Sequence, residues 1–418
     1  MKLLKTSFLS AIITFLRLAA GFVSVKVVAV ITGPAGVALI GAFSNFLSVV
    51  LTFANGAINN GVVKYTAEYD QNDRKLRTLL STALKISMGC SILVGFFLIV
   101  SAPLISKLIF TNTMFVNVVR VLGVTIIFYS LNSLLISILN GKGHIKDFTI
   151  VNAVGSVIGL VFTVVLVHKY KIVGALYSLV LAQTLVFFIT LLLVSRNEWF
   201  SWAIFRAKFN RIAALKLSHF SLMAFVTAVT VPTSQIILRN MLINKFDIDQ
   251  AGYWQSVVRI SDAYLMIITT SLATYYLPKL SSLKKERDIH AEILNGFKMI
   301  LPVVAIGCIT VYILRFFIIE LLYTKEFMQM EVLFLWQLVG DFLKITAWLL
   351  AYVMLAKAMT KAYVISEVIF SALYLILSYI FISRYGLIGV TYAFAANYAV
   401  YLMVMIIIFR KLLFLKNG

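Results

Sequence analysis

At 418 residues, with 61% apolar residues and a mean hydropathy of +0.99, the chain excludes a soluble globular protein and reads as a polytopic membrane protein. Its formal charge of +21, from 37 Lys and Arg against 16 Asp and Glu, does not mark a nucleic-acid binder. The basic residues fall in short blocks between apolar runs rather than on one folded surface. His144, His168, His219 and His290 lack ligand spacing, so neither a metal nor a cofactor is expected, and Cys90 and Cys308 sit singly in apolar runs as small hydrophobes.

In chain order, the apolar runs predict twelve membrane helices, at about 8–31, 37–63, 79–101, 117–139, 149–168, 173–194, 214–241, 253–277, 293–315, 330–354, 362–382 and 388–409. Each is long enough for the roughly 30 Å hydrocarbon core. The opening MKLLKTSFLSAIITF stays apolar through residue 31 without a convincing small-residue cleavage site, and so reads as a retained first span rather than a signal peptide. Assigning loops to alternate sides places 23 Lys and Arg on the side of the termini and 9, Arg239 among them, on the other. That asymmetry predicts cytoplasmic termini.

Between the sixth and seventh spans, RNEWFSWAIFRAKFNRIAALK (196–216) spaces Trp199, Trp202, Phe205, Phe209 and Ile212 helically, with Arg206, Lys208 and Arg211 among them. The pattern predicts an amphipathic cytoplasmic helix in the membrane interface. It divides the chain into an N-terminal six-helix lobe at 1–195, a connector at 196–213 and a C-terminal six-helix lobe at 214–418.

The halves repeat. HKYKIVGALY (168–177) overlays SRYGLIGVTY (383–392) at an offset of 215, which also brings Lys64 over Lys279, Lys142 over Lys357 and Lys146 over Lys361; Gly36 falls over Gly252 at 216. Because six spans separate equivalent points, the halves insert with the same orientation, as parallel repeats. Such a body is expected to enclose a central cleft.

Four spans carry polar stripes: Thr14, Arg17, Gly21 and Ser24 in the first; Asn45, Ser48, Thr52, Asn55 and Asn59 in the second; Thr227, Thr230 and Ser234, with a bend at Pro232, in the seventh; and Gln255, Arg259, Asp262, Thr269 and Thr270 in the eighth. Any one stripe is explained by helix–helix hydrogen bonding. Four at repeat-related places favour a shared cavity, although Arg259 and Asp262 also fit a self-neutralising structural pair. Arg17 and Arg259 against Asp262 make that cavity cationic in balance, matching a pyrophosphate group; Lys26 lies almost opposite Arg17 on an ideal helix, so the two share a site only through a bend or snorkelling. The amides of Asn45, Asn55 and Asn59 suit sugar hydroxyls. In the tenth span, Gln337, Asp341, Lys344 and Trp348 share one face, with Asp341 and Lys344 read as a structural pair or, alternatively, as ion-coupling groups. Glu367 is expected to reach Lys361 or Lys357.

GPAGVALIGAFSNFLSVV, GAINNGVVKYTAEY, YWQSVVRISDAYLMIITTSLATYYLPKLS and FLWQLVGDFLK resemble the bacterial Wzx polysaccharide flippases of O-antigen and enterobacterial common antigen synthesis, in the MOP exporter superfamily. The resemblance covers nearly the whole chain. It implies an all-α integral membrane fold of the MurJ/MATE type, with about twelve transmembrane helices in two six-helix bundles. It implies an inner-membrane transporter, not an enzyme, that moves an undecaprenyl-diphosphate-linked oligosaccharide (lipid III or an O-antigen unit) to the periplasmic leaflet by alternating access. Membrane lipids, a periplasmic-side polymerase and a chain-length regulator are the implied partners. Position by position, the interior basic residue late in the first span corresponds to Lys26, the Asp of the ISDAYL motif to Asp262, and the Asp and Lys of the WQLVGD segment to Asp341 and Lys344. The family often places a basic residue near the segment that here reads Phe43, Ser44, Asn45, and this chain departs from it with neutral groups.

Two other functions fit the same architecture less well. A multidrug or small-molecule antiporter would favour an acidic and aromatic cavity. A membrane glycan polymerase or ligase would be helped by a large extracytoplasmic loop with an acid–base constellation, and the loops on that side are short.

Overall fold

A computed structural model describes residues 2–413 apart from 198, 220, 221 and 358, and their side chains apart from those at 2–18, 145, 219, 222–224 and 274. The described residues are helical almost throughout. In order they form α1 (Lys2–Ala54), α2 (Asn59–Glu68), α3 (Asp73–Val100), α4 (Ala102–Phe110), α5 (Val116–Gly141), α6 (Ile145–Ser195), α7 (Arg211–His219), α8 (Leu222–Lys245), α9 (Ile248–Ser271), α10 (Leu277–Ser282), α11 (Glu286–Ile313), α12 (Arg315–Leu322), α13 (Phe334–Ala356), α14 (Thr360–Tyr385), α15 (Gly389–Ile408) and α16 (Arg410–Leu413).

Seven stretches among the described residues are long and apolar enough to cross a membrane. Three of them, Ala19–Ala54, Lys146–Ser195 and Thr360–Ile408, run to 36, 50 and 49 residues. A straight 50-residue helix would extend ~75 Å, more than twice the hydrocarbon thickness. Each stretch is instead broken near its middle: at Gly33 (φ 63°), at Lys171 (φ 50°) and at Gly386 (φ 70°). Counting two spans in each gives ten, and α8 and α9, whose polar residues lower their hydropathy, complete the twelve expected. The outer faces are apolar, as lipid contact requires: Leu93, Phe96 and Phe97 on α3 stand exposed.

Two breaks carry the internal repeat in their geometry. Lys171 and Gly386, 215 positions apart, share an unusual backbone conformation (φ 50°, ψ −128° and φ 70°, ψ −150°). Three residues on, a β-carbon at Gly174 would overlap the carbonyl of Leu166, and one at Gly389 would overlap the carbonyl of Phe381, again 215 positions apart. Both hairpins therefore turn so tightly that the returning backbone touches the outgoing one. Gly174→Ala and Gly389→Ala are each expected to destabilise by about 1–3 kcal/mol or more, read as lost detergent-resistant protein. Lys171→Gly relieves about 1–2 kcal/mol of left-handed strain and should raise thermal stability.

The chain forms two compact units, Met1–Thr32 with Leu39–Ile236, and Gly33–Ala38 with Ile237–Gly418. In the first, α5 packs between α3 and α6, with Gly95 and Gly123 opposed so closely that a β-carbon at either would meet the other's carbonyl. In the second, α13 packs against α15 and α11, around buried Leu349, Leu350, Met354 and Met405. Near the end of α9 the helix widens into a π-turn over Leu272–Tyr276 before α10 continues it.

The segment at 196–216 departs from the single amphipathic helix expected. A 3₁₀ turn spans Trp202–Phe205, and α7 starts only at Arg211, capped by Asn210, whose side-chain oxygen accepts from the Ala213 N–H at 2.9 Å. Between them, side chains of α3 capture the backbone carbonyls. The Ser81 hydroxyl donates to the carbonyls of Phe205 (2.9 Å) and Ala207 (2.5 Å), and Lys85 Nζ donates to Ala207 at 2.8 Å. Carbonyls held from outside are unavailable for a helical ladder.

Candidate functional site

Among the described residues, the densest set of interior charges lies in the second unit, on α9, α13 and α14. From Ala251 to Val258, α9 is buried on every side; Arg259 is half-buried and Asp262 is exposed. An exposed carboxylate inside a membrane helix requires a wet or charged surrounding rather than lipid. Asp262 has both Arg259 and, across from α13, Lys344 within electrostatic reach. Arg259 also lies near the phenol of Tyr323, whose hydroxyl donates to the Ser256 carbonyl at 3.3 Å.

Asp341 is fully buried. One of its oxygens accepts from the Tyr264 hydroxyl at 2.7 Å and the other from Gln337 Nε2 at 3.3 Å. Gln337 precedes Asp341 by one helical turn, while Tyr264 comes from α9, so the carboxylate ties α9 to α13. Tyr264 also lies 3.5 Å from Cys308 Sγ on α11. Asp341 and Lys344 share no direct ion pair. The Lys344 ammonium sits 4.8 Å over the ring of Trp348 and within electrostatic reach of three carboxylates, those of Asp262, Asp341 and Glu367. Tyr398 on α15 stands near the same three.

Glu367 therefore belongs to this cluster rather than with Lys361 or Lys357, the partners its sequence position suggests. Lys357 Nζ is engaged by the backbone carbonyls of Leu280 and Leu283. With Glu367 included, two cations, Arg259 and Lys344, face three acids. Around Arg259 and Asp262 in this unit acids therefore outnumber cations; the cationic balance expected from the sequence also counts Arg17 and Lys26, which belong to the first unit. Arg239 is a second correction: counted as a loop charge, it is only 1% exposed. Its Nη1 donates to the Ala38 carbonyl at 3.3 Å and its Nη2 to Asn240 Oδ1 at 2.9 Å. The fork thus holds the Gly33–Ala38 segment against the end of α8. Removing Arg239 from the loop count makes the charge asymmetry between the two sides larger.

In the first unit, the side chain of Arg17 lies outside the described residues. Lys26 and Asn45 are half-buried. Asn55 is buried at the end of α1, and Asn59 Nδ2 donates to Ser133 Oγ on α5 at 2.8 Å. Ser130 Oγ donates to the Ala54 carbonyl at 3.1 Å, so the lower part of this stripe faces α5. The side-chain oxygens of Asn55, Asn59 and Asn132 are buried without a hydrogen-bond partner. The structure thus brings Arg259, Asp262, Asp341 and Lys344 together in one unit and Asn55 and Asn59 together in the other.

A family described as polysaccharide biosynthesis protein matches residues 27–332. Proteins named Lipid III flippase from Escherichia coli (strain K12) and Shigella flexneri are 34% identical over 401 residues, 96% of this chain and 96% of theirs. The chain belongs to the polysaccharide biosynthesis protein family. Its fold is that of the MOP superfamily transporters. A multidrug resistance MATE family transporter in an inward-facing conformation superimposes with a TM-score of 0.80 at 13% identity, covering 96% of both chains. The lipid II flippase MurJ, in an inward closed conformation, gives 0.74 at 19% identity, covering 96% of this chain and 87% of that one. In this family member, Glu367 and Arg239 are the interior charges that sequence reasoning misassigned. Helical spacing identified the face each residue occupies, but not which neighbouring helix it meets.

Proposed function

We propose that this multi-pass membrane protein is a flippase that carries a diphosphate-linked, lipid-anchored oligosaccharide from the cytoplasmic to the periplasmic leaflet of the bacterial inner membrane. The observation that carries this reading is the end-to-end match to proteins named Lipid III flippase, at 34% identity over 96% of both chains. Arg259 is the group best suited to the diphosphate, because a guanidinium fork offers paired donors to phosphate oxygens. Asp262 orients Arg259 and limits how tightly the anion is held. Arg17 and Lys26 add positive charge, and Asn45, Asn55 and Asn59 offer amides to sugar hydroxyls. Asp341, with Lys344 beside it, is placed to couple an ion gradient to transport, or else to hold α9 on α13. The lobes at 1–195 and 214–418, joined through 196–213, are the moving parts of an alternating-access cycle. A periplasmic polymerase with its chain-length regulator consumes the product.

The test is delivery of a defined undecaprenyl-diphosphate-linked oligosaccharide to the outer leaflet of proteoliposomes. Purified protein should accelerate it over empty liposomes, and no acceleration with lipid III or any O-antigen unit overturns the reading. Orientation is tested separately. A cysteine at exposed position 208 is expected to react with a membrane-impermeant maleimide only after the cytoplasmic side is opened, and one at 384 in intact spheroplasts. The opposite pattern reverses the topology.

A further inference from the structure

A second charged feature lies in the first unit, outside the membrane spans. At the end of α2, the rings of Tyr65 and Tyr69 stack with centroids 5.9 Å apart and planes 28° from parallel. Three lysines from three separate elements converge on them. Lys64 of α2 lies 5.0 Å from the Tyr65 centroid, Lys75 of α3 5.7 Å from that of Tyr69, and Lys216 of α7 5.9 and 5.7 Å from the two. Lys216 Nζ also donates to the Tyr69 hydroxyl oxygen at 3.0 Å. All three lysines are exposed.

The platform is built rather than accidental. Leu217, next to Lys216, is fully buried against α2, where Gly61 lets its backbone approach to van der Waals contact. The capture of Phe205 and Ala207 by α3 fixes the chain that leads into α7. Cation–π contact holds the ammonium groups close together against their mutual repulsion. The nearby acid Asp70 is already neutralised by Lys142 at 2.7 Å, and Glu68 acts on Lys216 only at longer range. Since the Tyr69 oxygen accepts from Lys216, its proton remains available to an anion. Three converging ammonium groups and a phenolic donor suit a polyphosphate, which takes up several point charges at once.

We infer that Lys64, Lys75, Lys216 and Tyr69 form a loading site that captures the diphosphate headgroup of the lipid-linked substrate at the cytoplasmic membrane surface before transport. This rests on the flippase reading and on the orientation given with it. Anionic phospholipid headgroups share the chemistry, so the test separates the two sources. Full-length protein in nanodiscs of zwitterionic lipid is titrated with undecaprenyl diphosphate, and in parallel with phosphatidylglycerol. The Lys64→Ala/Lys75→Ala/Lys216→Ala triple variant is expected to bind undecaprenyl diphosphate about tenfold more weakly, with Lys216→Arg close to wild type in the other two lysines' presence. In proteoliposomes the triple variant should need more lipid-linked oligosaccharide to reach half-maximal transport, while its maximal rate stays near wild type. Unchanged undecaprenyl diphosphate binding, or a loss confined to phosphatidylglycerol, overturns the loading site while leaving the flippase reading intact if wild-type protein transports. Wild-type protein that neither binds nor moves the lipid-linked oligosaccharide overturns both.

Discussion

Arg259→Lys lowers transport of a diphosphate-linked oligosaccharide several-fold, and Arg259→Ala lowers it on the order of a hundredfold, each at normal folded abundance. The larger figure follows from hydrogen bonds to charged groups, worth about 1.5–3 kcal/mol each, with tenfold in rate for each ~1.4 kcal/mol. Lysine keeps the charge but loses the planar fork, so it recovers only part of the effect. Arg259 makes no direct ion pair in the structure; Asp262 and the Tyr323 phenol sit near it without closing a salt bridge. Its guanidinium is therefore poised rather than committed, as a group that must take and release an anion should be. Asp262→Asn is expected to move the two readouts in opposite directions, tightening undecaprenyl diphosphate binding while slowing turnover. The measurement is outer-leaflet delivery in proteoliposomes, normalised to monodisperse protein, beside direct binding. Wild-type binding and transport in Arg259→Ala would remove Arg259 from the substrate path.

The repeat was the most legible part of the chain, because a hairpin leaves a local signature. The aligned Tyr170 with Tyr385 and Gly174 with Gly389 sit where both hairpins close, and the glycines have no room for a β-carbon. Legibility fell wherever a residue's role depends on another helix. Three residues apart, Arg259 and Asp262 share one face of α9, but Lys344 as a shared neighbour of Asp262, Asp341 and Glu367 requires knowing that α9, α13 and α14 adjoin. Arg239 had the same difficulty: at the end of a span, a snorkelling loop charge and a buried fork look alike in sequence. The connector failed for a different reason. The spacing of Trp202, Phe205, Phe209 and Ile212 is helical, and only Ser81 and Lys85, more than a hundred residues earlier, show why the backbone between Phe205 and Asn210 is not. A polar residue facing a distant carbonyl leaves no mark on that carbonyl's own sequence neighbourhood.

Lys344→Met is expected to lower folded protein more than Asp341→Asn, and the double variant should fall between them. The asymmetry follows from the geometry. One ammonium serves three carboxylates, Asp262, Asp341 and Glu367, so its removal leaves Asp262 with Arg259 alone and takes from Asp341 and Glu367 the cation that faces them. Leaving buried charge uncompensated costs about 3–5 kcal/mol. Asp341→Asn removes one acid from the three and keeps an oxygen to accept from Tyr264, whose hydroxyl now lies 2.7 Å from the carboxylate. Adding it to Lys344→Met relieves part of the repulsion but not the share from Asp262 and Glu367, so rescue is incomplete, with a coupling of about 0.5–3 kcal/mol. A closed Asp341–Lys344 pair would give a different pattern: two equally damaging single variants and a double restored to near wild type. The measurement is thermal stability and detergent-extractable abundance of the three variants side by side, and that symmetric pattern would overturn the shared-lysine arrangement. Tyr264→Phe refines the result. It removes the 2.7 Å bond and leaves Asp341 the 3.3 Å contact from Gln337 and the Ser261 hydroxyl, and should cost about 1–3 kcal/mol in wild type but much less beside Asp341→Leu, where the phenol has already lost its acceptor. If Asp341→Asn instead folds normally and transports at a rate indifferent to an imposed proton or sodium gradient that drives the wild type, the carboxylate's charge serves coupling, and its bond to Tyr264 then links the titrating group on α13 to the helix that carries Arg259.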